Sequence, residues 1–235
     1  MQAFIGTSGY AYDHWKGELY PEDIKNEDML ACYAKRFASV EINNTYYRIP
    51  KADVVRHWAD AVPDDFRFVV KASRRITHFG RLGDVKDSLD YMLKQLEPLF
   101  PKLGPILFQC PPTMRKDVDR LRRFVSWLPA ERRGAFEFRH ASWHADDVYD
   151  VLRESKHALA LSDDAPFWDG ETLVPTTDFG FVRLRGEEYD DASLDAWGER
   201  LAAKWDRVFA FFKHEELGPA LATRLTERLQ ASSTS

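Results

Sequence analysis

Six charged residues sit where a strand would turn them away from its apolar side chains. Strand side chains alternate with a period of two. In Ser39–Ile42, Val40 and Ile42 share one face, which leaves Glu41 on the other with Asn43 just beyond it. In Ala135–Phe138, Phe136 and Phe138 pair off and leave Glu137 and Arg139. In Phe179–Leu184, Val182 and Leu184 leave Arg183 and Arg185. Lys71 shares a face with Val69, and Gln109 shares one with Leu107. The set holds four cations (Lys71, Arg139, Arg183, Arg185) against two carboxylates (Glu41, Glu137). Buried charge is costly unless it is paired or meets a ligand. Guanidinium forks match phosphate and carboxylate, so the surplus of cations points to an anionic ligand. A layer of structural ion pairs, with each glutamate neutralising one cation, is the alternative.

The same residue types define candidate roles. Glu41 and Glu137, on runs two and five, could move a proton. Arginine neighbours lower carboxylate pKa values, which suits a base better than an acid. Lys71, between apolar flanks in RFVVKAS, could stabilise developing charge or, if desolvated, form a Schiff base. Asn43, His78, Gln109, Asp163 and the three arginines are the candidate substrate contacts. A different chemistry follows from the cations at 71, 74, 75 and 81, which meet no acid until Asp84. They could grip a phosphate backbone while Tyr46, Tyr47, Phe79 and Trp143 stack on bases. Glu41, His78, Glu137, Asp163 and His214 could share a divalent cation, but no pair has HxH or HExxH spacing. No metal ligand is therefore assigned, and no cofactor motif is evident.

These residues need a scaffold. Eight β-rich runs occur: Ala3–Gly6, Ser39–Ile42, Phe66–Lys71, Ile106–Gln109, Ala135–Phe138, Ala158–Ser162, Phe179–Leu184 and Val208–Phe212. Stripes at helical spacing lie between them, such as Val54, Val55, Trp58 and Val62, or Leu89, Met92, Leu93 and Leu96. The link from Asp163 to Asp178 carries Pro, Gly and Thr without a helical period and is expected to be a loop. Such alternation implies parallel strands with right-handed crossovers. Eight of them predict a single (β/α)₈ TIM-type barrel with an irregular loop replacing the helix after strand six, over residues 1–230. Residues 231–235 are expected to form a flexible tail. No GxGxxG or GxxxxGK[ST] follows the first run, which argues against a doubly wound nucleotide-binding sheet. Gly6 and Gly9 in GTSGY should permit a close backbone approach or a tight turn.

Composition narrows the classes further. The chain has 235 residues, 44% of them hydrophobic, enough for a sizeable core. Its formal charge of −5 excludes a whole-molecule basic field for nucleic acid and leaves a local patch open. Two cysteines, Cys32 and Cys110, make no CxxC pair and read as buried free thiols. No apolar run approaches the ~20 residues needed to span a bilayer. MQAFIGTSGY lacks the basic-then-apolar pattern of a signal peptide, so a cytoplasmic location is expected.

A series of motifs then carries a resemblance. GTSGYAYDHWKGELYP at 6–21, YAKRFASVEINNTYYRIP at 33–50, VKASRRITHFGRL at 70–82, LGPILFQCPP at 103–112, EFRHASW at 137–143, SD at 162–163 and FVRLRG at 181–186 occur in order. The chain thereby resembles the YecE-like family, also called domain of unknown function 72, as far as about Gly186. The resemblance implies a TIM-type barrel and no defined activity. Its motifs carry Glu41, Asn43, Lys71, Gln109, Glu137, Arg139 and Arg183. Two positions depart from it. Arg185 stands where relatives tend to have His, and Phe212-Lys213-His214 replaces the usual FNN.

The expectation is an enzyme, a hydrolase or lyase of a phosphorylated or otherwise anionic small molecule, with its pocket at the carboxyl ends of the strands. The rivals are a nucleic-acid-acting, metal-dependent nuclease-like barrel and a non-catalytic binding or scaffold protein.

Overall fold

The computed structural model describes residues 1–231. Eight parallel strands form it: β1 (Gln2–Thr7), β2 (Ser39–Ile42), β3 (Arg67–Lys71), β4 (Leu103–Gln109), β5 (Gly134–Glu137), β6 (Ala158–Ser162), β7 (Gly180–Leu184) and β8 (Arg207–Phe212). Their order around the sheet is β1-β8-β7-β6-β5-β4-β3-β2. This is a TIM-type barrel. The helices of its outer ring are α1 (Met29–Tyr33), α2 (Ala52–Asp60), α3 (Lys86–Leu96), α4 (Val118–Val125), α5 (Asp146–Glu154), α6 (Asp191–Ala202) and α7 (Gly218–Ala231). Residues 163–178 contain no helix, as their composition predicts. One helical position differs from the sequence reading. Val54 is exposed, while Val55, Trp58 and Val62 of the same stripe are buried. Ala231 ends α7, while 232–235 of the expected tail lie outside the described residues.

Strand alternation sorts the two faces. Val40, Ile42, Phe68, Val70, Phe108, Phe136, Val182 and Phe212 join the core beneath the helices. Phe4, Val69, Leu107, Ala135, Phe181, Phe209 and Phe211 belong to a separate cluster that fills the barrel interior. Two residues after each of five inward apolar positions comes a polar one: Lys71 after Val69, Gln109 after Leu107, Glu137 after Ala135, Arg183 after Phe181 and Lys213 after Phe211. The interior is thus apolar below and polar in the layer at the carboxyl ends, where barrel enzymes carry their active sites.

The seam between β1 and β2 is closed sparsely. One bridge joins Ser8 to Glu41, with the Gly9 amide donating to the Glu41 carbonyl at 2.8 Å. Below it the Tyr33 hydroxyl of α1 stands between the strands. It accepts from the Thr7 amide at 2.9 Å and donates to the Ser39 carbonyl at 3.2 Å. Gly6 makes this approach feasible, because a Cβ there would lie 2.0 Å from the Ser39 carbonyl oxygen. Gly9 has φ of 98°, a left-handed conformation that a side chain would strain. No helix among the described residues is long and apolar enough to cross a membrane.

Candidate functional site

Arg183 is the centre of the polar layer. Its Nε and Nη2 donate to Glu41 Oε2 and Oε1 at 2.8 and 2.9 Å, and its Nη1 donates to Glu137 Oε2 at 2.9 Å. Ser8 Oγ and Asn43 Nδ2 also donate to Glu41 Oε1, at 2.6 and 2.9 Å. Glu137 accepts from Gln109 Nε2 and, at 2.9 Å, from Arg139 Nε. Arg183, Glu41 and Glu137 are 1, 0 and 2% exposed. Burial by itself would raise both carboxyl pKa values. The Arg183 charge and the hydrogen bonds around it outweigh burial and hold both below the ordinary range. Two ionised carboxylates likewise keep Arg183 protonated against its own burial.

The network continues to Lys71. Gln109 donates to Glu137 and accepts, at Oε1, from Lys71 Nζ at 2.8 Å. The ammonium lies 4.6 Å from the centre of the Tyr46 ring, a cation–π contact. Burial and then the Arg183 charge push the Lys71 pKa down to about 8. His78 meets the Tyr46 ring edge-on at 4.9 Å and shares a hydrogen bond with Thr77 Oγ1. It stands behind the tyrosine and does not line the cleft above Lys71.

That cleft has a volume of about 570 Å³. Its charged lining consists of Lys71, Arg139, Arg185 and Lys213, and its neutral polar lining includes Ser8, Asn43, Asn44, Gln109 and the tyrosines 10, 12, 46 and 47. Among the described residues no carboxylate lines it. Glu137 reaches only a side cavity of about 170 Å³, which it shares with Arg139 and Asp164. Asp164 pairs with both arginines, each at 3.3 Å. Lys213 has no side-chain hydrogen bond or ion pair among the described residues. Burial and then the Arg185 and Arg183 charges lower its pKa.

The sequence-predicted residues are therefore partitioned. Lys71, Asn43, Gln109, Arg139 and Arg185 face the cleft, while Glu41, Glu137 and Arg183 form the layer under it. Asp163 is directed elsewhere. It accepts from the Arg185 amide at 2.6 Å and from the Tyr189 hydroxyl, so it ties down the segment after β7. Burial raises its pKa despite these bonds. His214 accepts at Nδ1 from the Leu217 amide at 3.0 Å, just before α7. The five side chains considered for a shared cation are thus dispersed. Among the described residues no three His, Cys, Asp or Glu side chains gather into a metal-holding group. Sequence reasoning missed Ser8, Asp164 and Lys213 as site residues. For Lys213 the signal existed, since the two-residue period of β8 runs from Phe209 through Phe211 to it.

Comparison with known proteins agrees with the fold. The profile of the family described as "Protein of unknown function DUF72" matches residues 4–235. The UPF0759 protein YecE of Escherichia coli K12 is 35% identical over 114 residues, 48% of this chain and 42% of that protein. The UPF0759 protein YunF of Bacillus subtilis is 28% identical over 156 residues, 63% of this chain and 54% of its own length. The chain thus spans about half the length of the curated relatives it matches. The crystal structure of a DUF72 family protein from Thermotoga maritima superposes with a TM-score of 0.81 at 25% identity, covering 98% of this chain and all of that one. The chain belongs to the DUF72 family.

Proposed function

We propose that this DUF72 barrel is an enzyme, a hydrolase or lyase, that takes a small phosphorylated or otherwise anionic substrate into the cleft at its strand ends. One observation carries the reading: among the described residues four cations line the cleft and no carboxylate does. Glu137 and Asp164 meet Arg139 and Arg185 from outside it, while Lys71 and Lys213 have no ion-pair partner among the described residues, and that positive surplus favours an anionic occupant. Arg185 and Lys213 would bind the anion, with Arg139 beside them, and Asn43 and Gln109 would orient the remainder. Lys71 would carry the proton-transfer role. Its pKa of about 8 leaves a small neutral fraction near neutrality, and its charged form would stabilise developing negative charge. The role expected of Glu41 and Glu137 changes accordingly. At 0 and 2% exposure, with both oxygens of each already accepting hydrogen bonds, they hold Arg183 and, through Gln109, aim Lys71.

The test is a low-salt thermal-shift panel of phosphorylated and carboxylated metabolites on metal-stripped protein. A native-state ligand raises the midpoint by mass action. The reading expects at least one anion to stabilise the parent and not Arg185→Gln/Lys213→Met. A panel in which none does so abandons it. An anion that binds and is recovered unchanged after long incubation favours a binding protein over an enzyme.

A second reading has its own observation. Tyr47 and Phe79 are 69 and 71% exposed, and the Arg74 guanidinium lies 5.6 and 5.3 Å from their ring centres. This shelf adjoins the cleft through Tyr47. Exposed rings interleaved with arginine suit stacked bases and their phosphates. Under this reading short single-stranded oligonucleotides would bind with an affinity that falls steeply with salt. Absence of binding at low salt sinks it.

A further inference from the structure

The opposite pole of the barrel carries a second cluster of arginines that the mouth site does not use. Arg67 stands at the start of β3, Arg132 and Arg133 just before β5, and Arg207 at the start of β8. All four line a pocket of about 330 Å³ at the amino ends of the strands. Glu131 is its only carboxylate among the described residues.

Each of the first three is anchored by one nitrogen alone. Arg67 Nη1 donates to the Asp64 and Phe66 carbonyls at 2.8 and 2.9 Å. Arg132 Nη1 donates to the Phe100 carbonyl at 3.4 Å, and its guanidinium packs 3.9 Å from the centre of that ring. Arg133 Nη1 donates to the Lys156 carbonyl at 3.1 Å. Among the described residues none of these three forms an ion pair, and their Nε and Nη2 groups donate to no protein acceptor. Arg207 differs, pairing with Asp178 at 3.7 Å.

The backbone widens at the same place. Val70 follows Phe68 by two residues in β3, whereas their partners in β4, Leu103 and Ile106, are three apart. The extra residue is a bulge at Gly104-Pro105, both of which line the pocket. Bulges recur at barrel rims and beside sites, where they redirect side chains. A Cβ on Gly104 would lie 3.0 Å from the Phe209 ring. Phe209 stacks on Phe4 at 4.8 Å and gives the pocket an aromatic floor.

We propose that this pole is a second anion site, built for a compact phosphate-bearing molecule. Three guanidiniums fixed at one nitrogen and free at the others form a preorganised set of donors, which reduces the ordering cost of binding. The inference stands independently of the mouth reading.

Inorganic pyrophosphate is the probe, titrated calorimetrically into Arg185→Gln/Lys213→Met protein, in which the mouth is silenced. One pyrophosphate should still bind, and amide exchange should slow at Gly104, Ile106 and residues 131–134. Adding Arg67→Gln and Arg133→Gln should weaken it by about tenfold or more for each donor removed. Loss of all binding in the mouth-silenced protein overturns the proposal. So does unchanged affinity in the pole variants, or an equal response to chloride. If the pole variants fail to fold, Glu131→Gln on the mouth-silenced background decides. Removing that carboxylate from the pocket should tighten binding several-fold, and unchanged or weaker binding overturns the proposal.

Discussion

Arg183 and Glu41 hold each other across the barrel by two parallel hydrogen bonds of 2.8 and 2.9 Å, although 142 residues separate them. Arg183 also pairs with Glu137, so its removal would strand the buried Glu41 and leave Glu137 with Arg139 as its counter-charge. Breaking a buried pair by deleting one partner costs about 3–5 kcal/mol. Arg183→Met should lower stability by that order, read from urea midpoints. Arg183→Lys should recover little, since an ammonium cannot make the forked contact. A loss below about 1 kcal/mol in Arg183→Met would show that the layer is dispensable.

Acid should dismantle the same layer. Glu41 and Glu137 have folded pKa values below the free value of 4.5. The unfolded chain therefore binds more protons as pH falls through that range. The stability these groups contribute is complete above about 4.5 and is lost as pH drops through their folded values. Denaturation at a series of pH values should show this decline, and Glu41→Gln should flatten part of it. Identical pH slopes in the two proteins would contradict the assignment.

Lys71 should give a pH slope of the same sign in the alkaline range, although here it is the charged form that burial disfavours. Its pKa is lowered from 10.5 to about 8, so its charge opposes folding below about 8. That cost is relieved as pH rises from 8 towards 10.5, where the folded amine is neutral and the unfolded one still charged. A lysine-resolved NMR titration should place its midpoint near 8. Saturation with an anion in the cleft should move that midpoint upward. An ordinary lysine midpoint would remove Lys71 as the proton carrier.

Lys213 should govern affinity for anions. Its side chain enters the cleft without a hydrogen-bond or ion-pair partner among the described residues, beside Arg185. Charge-assisted contacts contribute about 1.5–3 kcal/mol. Lys213→Asn should therefore weaken a cleft-bound anion roughly tenfold to a hundredfold, with a shallower salt dependence. Equal affinity in parent and variant would place the anion elsewhere.

The seam offers a test of the scaffold itself. Tyr33→Phe deletes the hydroxyl that serves the Thr7 amide and the Ser39 carbonyl. Leaving a buried donor unpaired costs about 1–3 kcal/mol. Amide exchange at Gly9, whose N–H crosses the seam, should speed up. Gly6→Ala should cost more, because its methyl would overlap the Ser39 carbonyl oxygen. If neither substitution changes stability, the seam does not depend on that hydroxyl.

The barrel was legible because period-two apolar runs and helical stripes alternate so regularly. All eight expected strands occur within a few residues of the observed ones, and Ser39–Ile42 and Ala158–Ser162 coincide with theirs. The same alternation placed Glu41, Lys71, Gln109, Glu137 and Arg183 inward. What it could not supply was depth. Glu137 and Arg139 stand two apart on one face, yet one lies under the cleft floor and the other lines the cleft. Nor could it distinguish Asp163 from Asp164. Residues past a strand end follow loop geometry, and here the first turns to the β7 loop while the second meets the arginines. Val54 was misread for a related reason: a stripe one residue too wide still fits a helical period.

The sparse seam also orders events during synthesis. β1 pairs in full register with β8, from Gln2 opposite Arg207 to Thr7 opposite Phe212, and it meets β2 only through Ser8 and Glu41. β1 must therefore wait for a partner strand made some 200 residues after it. At about 5–20 residues per second that delay lasts on the order of ten to forty seconds. Until then the edges of β1 and of the growing sheet stay open to solvent and to other chains. Newly made chains thus pass through a window in which shielding by a chaperone would matter most, and it ends when β8 closes the ring.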